Sequence, residues 1–290
     1  MNNIENSYLN LLSEIIQTGE RREDRTGTGT ISVFGGNLKH NMALGFPLLT
    51  TKKMSLKNIF TELKWFISGD TNIKYLVDNN CNIWNGDCFK HFQKTSSNPL
   101  GLTQQEFIEE IKNNPKFAKK WGNLGKIYGY QWIKANQLNN CLQELKNNPH
   151  GRRHVVMAWD AEDINDAVLP PCHIGFQCYI NQEGLSMKFF MRSSDVPLGL
   201  PYNIASYGML LLMMAKSLDV PADTLEVSLG DSHIYLNQLE GVLQQVNRTP
   251  FPPPKISILT KRENLIDYEF SDFLIEDYHH HPEIKFPLSN

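Results

Sequence analysis

Phe176-Gln177-Cys178-Tyr179-Ile180 and Leu185-Ser186-Met187-Lys188-Phe189-Phe190-Met191 are two strand-like runs in close succession. They lead through Arg192-Ser193-Ser194-Asp195, Pro197, Gly199 and Pro201 into a long apolar helix starting near Asn203. Strands in adjacent series, set beside helices, argue for an α+β fold: a layered mixed β-sheet with helices packed on it and the site at strand ends. The Gly- and Pro-rich loop between the second run and the helix offers donors for phosphate and a side-chain amide for a base.

Just upstream stands Leu169-Pro170-Pro171-Cys172-His173. A cysteine between a rigid Pro-Pro step and a histidine can be held in one orientation. A single cysteine is more often a small buried apolar residue than a nucleophile, so the reading of Cys172 depends on the segments around it. Downstream, Val227-Ser228-Leu229-Gly230-Asp231-Ser232-His233-Ile234-Tyr235 reads as a strand ending in a polar cluster, the rim of a pocket.

Towards the N-terminus, Ile4, Tyr8, Leu11, Leu12, Ile15 and Ile16 recur at helical spacing and predict an amphipathic helix that stops near Gly19. The polar stretch 21–30 follows, with Arg25, Gly27 and Gly29, and leads into the strand-like run 31–34. It suits an anion grip or a flexible surface turn equally well. Leu56, Ile59, Phe60, Leu63 and Phe66 predict a second helix carrying Glu62. That carboxylate is either partly desolvated, which raises its pKa toward a working acid or base, or turned to solvent. A Lys-, Asn- and Gln-rich segment at about 86–122 reads as a small helical insertion. After a helical pattern over 138–145, Gly151-Arg152-Arg153 precedes the strand 154–159; the paired arginines are either a phosphate grip or a solvated basic turn.

The chain has 290 residues, a net charge of −3 and a hydrophobic fraction of 41%, room for one large domain or two modest ones. Near-neutral charge gives no global attraction to nucleic acid or an anionic membrane, which favours a small anionic ligand met by local arginines. The N-terminus lacks the pattern of a signal peptide, and the most apolar stretch, 208–215, is too short to span a bilayer. Five cysteines without metal-type spacing suit free thiols in a reducing cytoplasm. No metal is expected, and His279-His280-His281 reads as a solvated loop.

In order along the chain, Asp24-Arg25-Thr26-Gly27-Thr28-Gly29-Thr30, 45–53, Glu62-Leu63-Lys64-Trp65-Phe66, 69–72, Arg152-Arg153, Pro171-Cys172-His173, Arg192-Ser193-Ser194-Asp195-Val196, 200–207 and 230–235 together resemble the folate-dependent thymidylate synthase family over essentially the whole chain. The resemblance implies a single domain over 1–290, with the insertion at about 86–122, and a sheet face forming a homodimer interface. It implies a methyltransferase converting dUMP and the co-substrate 5,10-methylenetetrahydrofolate to dTMP and dihydrofolate. Cys172 would add to C6 of the pyrimidine; Glu62, Tyr128 and His173 would manage protons and ordered water; Arg192 would favour the thiolate. Arg25, Arg192 and Ser193 would hold the phosphate, with Arg152 and Arg153 reaching across from a second subunit. Asn203 would pair with the pyrimidine, and His233 and Tyr235 with the sugar. Lys52, Trp84, Leu169, Asp195, Gly199 and Ser289 would line the folate side, Asp195 facing the nucleotide as well.

Asn85, Asn123, Lys126, Met191 and Pro197 depart from the family pattern, and the tail 285–290 ends polar where small apolar residues are usual. These changes cluster on the folate side. They motivate a second reading, a dUMP hydroxymethylase in which water replaces hydride. A deoxycytidylate enzyme would call for a carboxylate at Asn203. A non-catalytic nucleotide- or RNA-binding homologue is argued against by the presence of both Cys172 and Glu62.

Overall fold

The structure, a computed structural model, describes residues 3–96 and 101–289. Part of the expected insertion, 97–100, therefore lies outside the described residues. The chain divides into two compact units, one formed by Met1–Ser55, Cys141–Val155 and Cys172–Ser289, the other by Leu56–Asn140 and Val156–Pro171.

The first unit carries strands β1 (Glu20–Arg22), β2 (Thr30–Phe34), β3 (Asn37–Asn41), β5 (His173–Ile180), β6 (Leu185–Asp195) and β7 (Ala222–Tyr235) of a mixed sheet, and β4 (Val155–Met157) falls where the chain passes from one unit to the other. The spatial order is β1-β2-β7-β6-β5-β4, with β3 also paired to β7. The two opening runs are strands as expected; the structure pairs them, β5 with β6, antiparallel, whereas β6 and β7 run parallel. Parallel neighbours need a crossover, and the helix Gly199–Ser217 supplies it. That helix is apolar nearly all round because it is buried nearly all round; Tyr207 stacks on Phe189 of β6 with ring centroids 4.2 Å apart.

The structure moves several boundaries: β5 begins at His173, ahead of the run at Phe176, and the strand expected over 154–159 is confined to Val155–Met157. Residues 192–195 belong to β6 instead of a loop, because Ser193, Ser194 and Asp195 pair in register with Asp231, Ser232 and His233. The helix begins at Gly199, not near Asn203, since Pro201 in its first turn gives up an N–H that has no partner there anyway. The N-terminal helix spans Ile4–Thr18 and ends at Gly19 as expected. A short two-stranded sheet, β8 (Lys255–Ile258) with β9 (Phe273–Glu276), completes the unit.

The second unit is helical. Leu56–Ser68 and Tyr128–Ile133 share an aromatic core in which Phe66 lies 5.0 Å from Tyr128 and 5.8 Å from Trp132. Around the expected insertion, Asn85–Ser96, Gln104–Asn113 and Pro115–Trp121 enclose their own cluster of Phe92, Phe107, Phe117 and Trp121. Between the last two of these helices, Asn114 caps a new helix, with Pro115 at its first position.

Candidate active site

In the first unit the site grows from strand ends. The first hydrogen bonds of the β5–β6 pairing hold Arg192 beside Cys172, the Arg192 N–H donating to the Cys172 carbonyl at 2.9 Å. The same register brings the Arg192 Nη2 to 4.0 Å from the Cys172 Sγ. Cys172 is half-buried, while Cys81, Cys88, Cys141 and Cys178 are buried. Burial pushes the Cys81 and Cys88 thiols up to about 12, which leaves them inert at neutral pH. A cysteine reachable from solvent beside a guanidinium is the better nucleophile.

The next residue, His173, is buried, and its Nδ1 lies 2.8 Å from the Tyr207 hydroxyl. Burial pushes its imidazole down to about 3, so it is neutral at physiological pH. Parallel pairing of β6 with β7 sets Ser193 opposite Asp231 and Asp195 opposite His233. The His233 Nδ1 is 2.6 Å from Asp231 Oδ1, which fixes the ring. Tyr235 ends β7, and its phenol is pushed up to about 12, first by burial and then by the charges of Asp195 and Asp24; Arg25 and Cys172 also act on it. Arg25, Cys172, Asp195 and Tyr235 are thus drawn into one neighbourhood. Asp24 shapes the Arg25 loop by accepting from the Thr26 and Gly29 backbones, with Gly27 and Gly29 at positive φ of 74° and 78°.

Asn203 is half-buried in the first turns of the crossover helix, and Gly199 opens that helix. Lys52 is buried, donates to the Pro197 carbonyl and lies 4.7 Å above the Phe286 ring. Burial pulls it down to about 8, partly offset by Asp195. Burial also raises the Asp195 carboxyl, against hydrogen bonds from Gln238 and the Leu198 backbone. Ser289 is buried and its Oγ accepts from Asn237 Nδ2 at 3.3 Å. Arg152 and Arg153 stand exposed ahead of β4 and, among the described residues, are not part of this group.

In the second unit, Glu62 is turned inward, which decides between the two readings of its helix. It is buried, and Trp84 Nε1 donates to its Oε1 at 2.8 Å. Desolvation lifts the carboxyl to about 7 against that hydrogen bond. Tyr128 packs edge-on to Trp84, ring centroids 6.0 Å apart, and Leu169 is half-buried in the same unit.

A sequence model of thymidylate synthase matches residues 6–290. The chain belongs to the thymidylate synthase family. It is 47% identical over 281 residues to a thymidylate synthase of Mycoplasma mobile, covering 96% of this chain and 97% of that one. It is 46% identical to one of Mesoplasma florum, again over 96% and 97%. One of Mycoplasma pneumoniae is 43% identical, with the same shares covered.

Several departures from the thymidylate synthase pattern have structural partners here. Asn123 bonds Thr71 and the Gly125 backbone, and Lys126 joins Asp163 and Asp166 at 2.8 Å each. Met191 is buried opposite His173 in the β5–β6 register, and Pro197 gives its carbonyl to Lys52. His281 of the histidine run is tied to Thr50 and Thr249. Sequence reasoning missed Tyr207, Asp231 and Asp24 as supports of His173, His233 and Arg25, although all three lie inside the motifs that carry the resemblance. It missed Gln238 entirely; a glutamine three residues past Tyr235 at the end of β7 was the available signal.

Proposed function

We propose that the chain converts dUMP and 5,10-methylenetetrahydrofolate to dTMP and dihydrofolate. The observation that carries this reading is the Arg192 guanidinium 4.0 Å from the Cys172 sulfur in a chain of this family. The Cys172 thiolate adds to C6 of the uracil ring and the displaced electron pair makes C5 nucleophilic; covalent attack splits one hard step into easier ones. Methylenetetrahydrofolate, when bound, supplies both the one-carbon unit and the hydride. Glu62, poised at about 7, exchanges protons during transfer and takes part in removing the C5 proton, with Tyr128 supporting it. Neutral His173, held by Tyr207, orders water beside the pyrimidine.

We assign the phosphate to Arg25, Arg192 and Ser193, with Arg152 and Arg153 of the partner subunit completing the grip. Their exposure within one chain supports that assignment. Asn203 reads the pyrimidine edge, while His233 and Tyr235 take the sugar hydroxyl. Lys52, Trp84, Leu169, Asp195, Gly199 and Ser289 line the folate side. A half-buried carboxylate at Asp195 fits the ring N–H donors of a pterin. We treat 1–290 as one catalytic domain with an insertion at about 86–122, working as a homodimer. Phe34, Val155 and Tyr179 leave apolar area exposed on the sheet, which suits such an interface. No helix among the described residues is long and apolar enough to cross a membrane, and the reduced thiols suit the cytoplasm.

The hydroxymethylase reading is not favoured, since the relatives compared carry the synthase name and Trp84 is present beside Glu62. Product mass discriminates the two. Mixed with dUMP and methylenetetrahydrofolate, the protein should release dihydrofolate and a methylated nucleotide. A hydroxymethylated product without dihydrofolate overturns the reading, and nucleotide binding with no product points to a non-catalytic homologue.

A further inference from the structure

The side chain of Gln238 is almost wholly buried at the first turn after β7. Its Oε1 accepts from the Tyr235 backbone N–H at 3.1 Å. Its Nε2 donates to Asp195 Oδ2 and to the Pro287 carbonyl, both at 3.1 Å. One amide therefore joins the end of β7, the end of β6 and the C-terminal tail. The tail has other anchors nearby: Phe286 and Ile284 close over Gly241, where a Cβ would lie 2.6 Å and 3.0 Å from them, and Ser289 takes a hydrogen bond from Asn237.

We propose that Gln238 is a positioning residue, a latch whose carboxamide couples seating of the C-terminal tail to the orientation of the Asp195 carboxylate. An amide suits this task because it offers two donors and one acceptor on a rigid plane, matching two acceptors and one donor here. The donor aimed at Asp195 favours the ionised carboxylate, whereas the donor aimed at Pro287 has meaning only when the tail is down. Seating the tail then orders the carboxylate, and an ordered carboxylate holds the amide ready for the tail. The coupling is reciprocal. It rests on the reading of Asp195 as a folate-side residue.

The groups facing Asp195 from neighbouring elements are His233 and Tyr235 on β7, Lys52 from the loop before Leu56–Ser68, and Tyr8 on the N-terminal helix. All of them remain in a Gln238 variant, so a change in the Asp195 titration isolates the amide. Burial raises Asp195 and Gln238 lowers it, so removing the amide raises it further.

Gln238→Met keeps volume and removes every polar contact, whereas Gln238→Glu keeps the acceptor for Tyr235 and loses both donors. Both should raise the KM for methylenetetrahydrofolate about tenfold, the scale of a hydrogen bond to a charged group, and leave the KM for dUMP within about twofold. In Gln238→Met the acid limb of kcat/KM for folate should move to higher pH. Trypsin should cleave after Lys285 about tenfold faster, because the tail opens more often. Ending the chain at Phe286 should reproduce the folate defect, and adding Gln238→Met to that shortened chain should change little more. Additive losses, an unchanged tryptic rate or a wild-type folate KM in Gln238→Glu overturns the latch. If the wild type makes no methylated nucleotide, the functional reading falls, and the tryptic rates still judge the contact between Gln238 and the tail.

Discussion

Glu62 is the residue whose burial has the sharpest thermodynamic consequence. A carboxyl raised from 4.5 to about 7 on folding binds its proton more tightly in the folded state. The stability it contributes is fully present below the unfolded value and is lost as pH rises through the folded one, a difference of about 3 kcal/mol. Glu62→Gln removes the titration. The denaturant midpoint of the wild type should therefore fall relative to that variant between about pH 5 and about pH 8, and the variant should be the more stable at the upper end. Parallel pH dependence in the two proteins would show that Glu62 is solvated. The same variant should lose most turnover, because an amide cannot exchange the proton. In the proposed mechanism that cost in stability accompanies a carboxyl poised to exchange a proton near neutral pH.

Among the elements, β6 and β7 build the side proposed to take the nucleotide: their parallel register sets Ser193 and Asp195 opposite Asp231 and His233, with Arg192 against Gly230. Gly230 permits that approach: a Cβ there would lie 2.7 Å from the Arg192 carbonyl oxygen. Gly230→Ala must push the strands apart where Arg192 is presented, and the KM for dUMP should rise about tenfold or more. An unchanged KM would mean that Arg192 does not depend on this register. This closeness is also where sequence reading stops. The hydrophobic runs made β5 and the first half of β6 legible, and helical spacing gave Ile4–Thr18 and Leu56–Ser68. The polar end of β6 looked like a loop because its pairing comes from a strand some forty residues away, and alternation of side chains carries no trace of a distant partner. For the same reason Cys172, Arg192 and Glu62 were visible as candidate site residues, whereas Tyr207, which lies in the motif 200–207 but was given no role, and Gln238, which lies in none, matter through contacts distant in sequence.

Over the whole molecule, the family match runs without a break from residue 6 to 290 and so covers segments of both units. The homodimer assignment makes Arg152 and Arg153 residues of the partner's site. In solution, sedimentation equilibrium should return twice the chain mass, and Tyr179→Glu, a charge on the exposed sheet face, should shift the protein towards monomer with loss of activity. A fully active monomer would remove both arginines from the site. Beneath all of this stands the proposed covalent step. The most direct measurement is peptide mapping by mass spectrometry of protein quenched during turnover of dUMP with methylenetetrahydrofolate. We predict nucleotide bound to the peptide carrying Cys172 in the wild type, and neither adduct nor product from Cys172→Ala, which still binds dUMP. Methylated product from Cys172→Ala, or nucleotide attached to a different residue, would contradict the account.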